Sequence, residues 1–114
     1  MITVEKLNSF GANASEGLAR CFGNEALFLR LVMTVPDDAV FDRLKQKLEA
    51  NDLDGAFDAA HALKGVLGNL SLTPLYTIAV EITEHLRNRT QMDYSGLLTK
   101  LLEKRDELGK LCAE

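Results

Sequence analysis

The chain has 114 residues, 46% of them hydrophobic and 26% charged, with a formal net charge of −4; this predicts one globular domain spanning residues 1–114. The acidic balance and scattered basic residues leave no footprint for nucleic acid. No apolar run nears the ~20 residues of a membrane span, and the start Met1-Ile2-Thr3-Val4-Glu5-Lys6 lacks a signal-peptide layout, so a cytoplasmic location is expected.

In chain order, Ile2, Leu7 and Phe10 predict a short helix capped by Thr3 and stopped by Gly11. A second short helix covers Ala14 to Phe22 and stops at Gly23. Asn24 can cap a third, from Glu25 to about Thr34, whose apolar residues run nearly all round and predict burial on most sides; Pro36 ends it. Asp37 is placed to cap a fourth helix with Val40, Phe41, Leu44 and Leu48 inward, broken at Asn51. Asp52 caps a fifth, running to about Leu70. Thr73-Pro74 reads as a cap followed by proline at the first helical position, opening a sixth with Leu75, Ile78, Ala79, Ile82 and Leu86 inward. The last helix, about Asp93 to Cys112, carries a leucine-rich face. Cys21 and Cys112 form neither a disulfide framework nor a metal knuckle and read as small buried hydrophobes. No stretch alternates like a strand. Four amphipathic helices joined by short loops predict an all-α fold, an up-and-down antiparallel four-helix bundle with short flanking N-terminal helices.

The fifth helix holds the residues with chemistry. Leu53, Phe57, Ala60, Leu63, Leu67 and Leu70 make its apolar face. His61 falls on the polar side, with Lys64, Gly65 and Gly68 on the adjoining arc. The imidazole should therefore stand outward, one turn from an ammonium. Each glycine costs a helix interior about 1 kcal/mol relative to alanine. Their absent side chains are those that would crowd His61 on its C-terminal side, and bare backbone there lets a large molecule approach. The competing explanation is tight packing of another helix over the glycines.

Antiparallel pairing through a turn near Ser71 sets His61 level with about Ile82. If the two helices share their forward-rotated flanks, Thr83 and Arg87 come near His61 and join Gly65 and Gly68 in a partner-docking surface. His85 and Glu81 lie on the other flank, which separates the two histidines. A di-iron bundle needs paired Glu-x-x-His motifs and two further glutamates; with two histidines in the chain, no metal is expected. No phosphate-binding Gly-Lys loop, nucleophile elbow or Cys/His pair at a recognisable spacing is present.

The run His61-Ala62-Leu63-Lys64-Gly65, with Gly68 beyond it and a leucine-rich hairpin following, resembles the histidine-containing phosphotransfer (HPt) domain. The resemblance extends over roughly Phe22 to Asn88, and Ser71 stands where that family usually has glycine. It implies that His61 carries a phosphoryl group, that Lys64 supplies the nearby positive charge, and that Gly65 and Gly68 let a response-regulator receiver domain dock. Neutral imidazole, with a free pKa of about 6.5, is a competent nucleophile near neutral pH. By the same resemblance the chain is a carrier without kinase activity. It would need no cofactor of its own, because Mg²⁺ would sit on the receiver. Its partners would be response-regulator receivers and a hybrid sensor histidine kinase acting in trans. The alternative is a scaffold or inhibitor that docks receivers without phosphotransfer.

Overall fold

In a computed structural model describing residues 1–114, the chain forms seven helices and no strands. The order is α1 (Val4–Phe10), α2 (Ala14–Arg20), α3 (Glu25–Thr34), α4 (Val40–Glu49), α5 (Leu53–Asn69), α6 (Thr73–Arg87) and α7 (Ser95–Ala113). Helix α5 packs against both α4 and α6, and α6 packs against α7. The α7 side meets α4 where the Arg105 guanidinium lies over the Phe41 ring, 5.5 Å from its centroid. The last four helices thus make the antiparallel bundle, and α1–α3 flank it. No helix is long and apolar enough to cross a membrane.

The seam that holds α5 in the bundle consists of Ala56, Ala59, Ala60, Leu63 and Leu67, all fully buried. Opposite them α6 contributes Leu75, Ala79, Ile82 and Leu86. Small alanines allow close helix approach, while each buried leucine contributes roughly 1.5–3 kcal/mol. Phe57, expected in this seam, is instead half-buried at its edge. Helix α3 is likewise less enclosed than its composition predicts. Phe28 and Val32 are buried, but Leu31 and Met33 are exposed.

The N-terminal helices fasten to the α5–α6 end. The Asn13 N–H donates to the Ser71 carbonyl at 3.0 Å. Gly17 lies so close that an added Cβ would sit 2.4 Å from the Phe28 ring and 2.9 Å from the Leu70 carbonyl oxygen. A glycine in α2 therefore allows a close approach that no other residue permits.

The caps follow the sequence at Thr3, Asn24 and Asp52, whose side chains accept N–H bonds from Lys6, Leu27 and Gly55. Two expected caps are replaced. Asp38, not Asp37, accepts from the Val40 N–H that opens α4. Thr73 does not cap α6: it is the first helical residue, and its hydroxyl donates to the Ser71 carbonyl. Helix α2 ends at Arg20, short of Phe22, because Phe22 itself turns left-handed, with φ 58°. Four non-glycine residues, Phe22, Asn51, Ser71 and Arg89, take this conformation just past helix ends. In each case the N–H of the next residue reaches back to a carbonyl in the last turn, as Leu72 does to Leu67 at 3.0 Å. The Schellman-type closure survives without glycine.

Ser71 carries two costs: φ of 53° and a buried Oγ with no hydrogen-bond partner. Ser71→Gly removes both and is expected to stabilise the fold by about 1 kcal/mol, after allowing for the extra freedom of glycine in the unfolded chain. Urea unfolding checks this. At the start of α5, the Gly55 N–H, helped by Lys47, holds the Asp52 carboxyl below the usual carboxylate range. A lowered native pKa contributes stability that is complete above the unfolded value of about 3.9 and is lost as pH falls through the native one. Asp52→Asn keeps the capping oxygen but removes the charge. Its melting temperature should therefore fall less steeply than wild type below about pH 4.

Candidate functional site

His61 is exposed on the face of α5 opposite the buried seam, eight positions after the helix starts at Leu53. The flanking helices do not cover it. Its ring stacks on Phe57, one turn earlier, with centroids 5.7 Å apart and planes 15° from parallel. Helical side chains lean toward the N-terminus, so residue i rests over i−4. The Arg87 guanidinium, from α6, lies 5.3 Å from the centroid of the same Phe57 ring, and its Nε is 3.4 Å from Glu84 Oε1. Arg87 and His61 thus both pack on Phe57.

Lys64 is half-buried and makes no ion pair with a carboxylate. It lines a groove of about 520 Å³ that begins one turn beyond His61. Gly65 and Gly68 form the α5 wall, Tyr76 and Thr77 the α6 wall, and Arg20 with Glu16 the far wall from α2. The two long α2 side chains pair at 3.2 Å.

The two glycines, equivalent in the sequence, are not equivalent in space. A Cβ on Gly65 would meet nothing within 4 Å, so the helix surface there is open. A Cβ on Gly68 would lie 2.9 Å from the Tyr76 ring. Gly68 therefore serves the packing of α6, and the expectation that it opens the helix to a partner is corrected: its own chain's Tyr76 occupies that space. Thr83 is corrected as well. It is fully buried, and its hydroxyl donates to the Ala79 carbonyl at 2.7 Å, so it presents nothing to a docking molecule. Phe57 is the residue that sequence reasoning assigned to the core and so missed at the site. Its position four residues before His61 was the available signal.

His85 is half-buried against the edge of Tyr94, with ring centroids 6.5 Å apart, rather than free on the surface. The Tyr94 hydroxyl donates to the Thr90 carbonyl at 2.8 Å, and burial pushes its pKa up. The two histidines thus pack against different aromatic rings, His61 against Phe57 within α5 and His85, in α6, against Tyr94 just before α7.

An exposed histidine on the second helix of a four-helix bundle, followed one turn later by a lysine and open backbone, can receive a group from a large partner without rearrangement of the fold. Comparison with protein families matches residues 30–113 to the Hpt domain. The chain belongs to the Hpt domain family. The match covers all of α4 to α6 and runs to the end of α7, beyond the Asn88 limit of the sequence resemblance, and it begins at Arg30 rather than Phe22. No curated protein and no solved structure gives a significant match. Hpt domains act in histidine phosphotransfer within two-component signalling, as phosphocarriers that interact with receiver domains and kinases.

The unequal glycines yield a measurable contrast. Gly65→Ala adds a methyl group in open space and should stabilise the Hpt domain by about 1 kcal/mol through helix propensity. Gly68→Ala should show no such gain, because the Tyr76 ring must shift. Chemical denaturation of the two variants side by side checks the difference.

Proposed function

We propose that His61 is the phosphoryl-accepting nucleophile of this Hpt domain. In this reading it takes the group from an aspartyl phosphate on a receiver domain, or on the receiver of a hybrid sensor histidine kinase, and passes it to a response regulator. The observation that carries the reading is the exposed imidazole of His61 beside the open backbone at Gly65. A partner as large as a receiver can settle there, whereas a buried or covered ring could not react.

In the forward step a ring nitrogen lone pair attacks phosphorus in line. The P–N bond forms as the bond from phosphorus to the acyl oxygen breaks, and the aspartate leaves as a carboxylate holding the electron pair. The proton on the other ring nitrogen passes to water. The return step reverses these bonds onto an aspartate of the next receiver. Lys64 stabilises the charge that gathers on the equatorial phosphoryl oxygens. Arg87 and Gly65 belong to the docking face. Mg²⁺ stands on the receiver, and the domain needs no cofactor and has no kinase activity of its own. This relay is assigned to the cytoplasm.

Incubation with a phosphorylated receiver and Mg²⁺ should place acid-labile, alkali-stable label on this chain, and His61→Gln should abolish it. Lys64→Ala should slow single-turnover transfer about ten-fold, equivalent to about 1.4 kcal/mol of barrier, with the helical circular dichroism unchanged. Label retained by His61→Gln rejects the assignment. A tight complex that never becomes labelled supports a docking scaffold instead.

A further inference from the structure

We infer that Phe57 is a positioning residue for the His61 imidazole, and that Arg87 holds Phe57 in that role. The inference rests on the reading of His61 as the nucleophile and adds to it the groups that aim the ring.

An exposed histidine on a helix surface changes rotamer on the picosecond-to-nanosecond timescale. Phosphoryl transfer, by contrast, requires the nitrogen, phosphorus and leaving oxygen in line, and a misplacement of 1 Å can cost as much as ~10²-fold in rate. The chain meets this requirement without burying the nucleophile. Phe57 lies under the imidazole nearly parallel to it, at 15°. Stacking restrains the ring about both of its side-chain torsions. The nitrogen lone pairs lie in the ring plane, however, so a partner ring on one face leaves the reactive edge free. A hydrogen bond from a side chain to a ring nitrogen would have oriented the imidazole too, but would have engaged one of the two atoms that handle the phosphoryl group or the proton.

The surroundings of Phe57 favour this role over simple core filling. The buried seam of α5 is completed by Ala56, Ala59, Ala60, Leu63 and Leu67 without it. Phe57 stays half-buried while packing against the core. Its ring also meets His61 and Arg87, which reaches across from α6. A guanidinium within about 6 Å of an aromatic centroid is attracted to the ring quadrupole. The arrangement is also directional. The N-terminal side of His61 is occupied by Phe57, and the C-terminal side, over Gly65, is empty. The imidazole is thereby held facing an approach along the Gly65 side.

The test uses the full chain with Phe57→Leu, Phe57→Tyr and Arg87→Gln. The first readout is the ring-current shift of the His61 carbon-bound protons by NMR. It should be present in wild type and in Phe57→Tyr, absent in Phe57→Leu and reduced in Arg87→Gln. The second is single-turnover transfer from a phosphorylated receiver, read beside receiver affinity. Phe57→Leu should slow transfer about ten-fold at unchanged Kd, and Phe57→Tyr should recover to within about two-fold of wild type. A wild-type rate in Phe57→Leu, a Phe57→Tyr variant as slow as Phe57→Leu, or a loss confined to Kd each overturns the positioning role. A full shift in Arg87→Gln removes Arg87 from it. Wild-type protein that takes no label at all means that the nucleophile assignment has failed, while the ring-current comparison still reports on the stack itself.

Discussion

One helix must satisfy two opposed demands, and the rest of the chain is arranged around that constraint. Helix α5 has to bury enough apolar surface on one side to be held between α4 and α6. On the other side it leaves the His61 imidazole in water. Alanines at 56, 59 and 60, fully buried, resolve the conflict by drawing the neighbours close to a narrow stripe. A wider apolar face of large residues would have pulled α6 or the N-terminal helices over His61. Instead the flanking helices gather at the far end of α5, where Asn13 bonds to Ser71 and Gly17 presses against Leu70.

The surroundings of His61 are accordingly shaped by what is missing as much as by what is present. Gly65 has nothing over it, so the helix backbone itself is the surface on that side. Gly68, one turn on, admits Tyr76. The same residue type thus performs an outward-facing task and an inward-facing one within a single turn. The lysine between His61 and the groove remains without a carboxylate partner, which keeps its charge available to an incoming anion. Arg20, across the groove, is paired with Glu16 and less free to do the same.

Several helix ends take a backbone conformation that local preference disfavours. Phe22 adopts a left-handed backbone while 96% exposed, and no contact of its side chain explains why glycine is not used. Arg89 takes the same conformation but pairs with Asp54, tying the end of α6 to the start of α5. Exposed pairs of this kind contribute little, about 0–1 kcal/mol. These turns are maintained by the backbone bonds that close them and by the packed helices on either side.

Helix periodicity, cap residues and short connections were enough to read seven helices, their order and the bundle class, because these depend on neighbours three and four residues apart. The position of His61 on the polar side of α5 followed from the same spacing. Residues whose roles depend on another helix were not legible. Thr83 looked like a docking position and is buried, and Gly68 lies against Tyr76, since the rotation of α6 about its own axis decides whether a flank faces a partner or a neighbour. Phe57 looked like core and lies at the site, since a few tens of degrees of helix rotation separate the two. Sequence alone determined which residues share a face; the tertiary structure decided which of those faces is covered, because covering depends on how closely and at what angle distant segments pack.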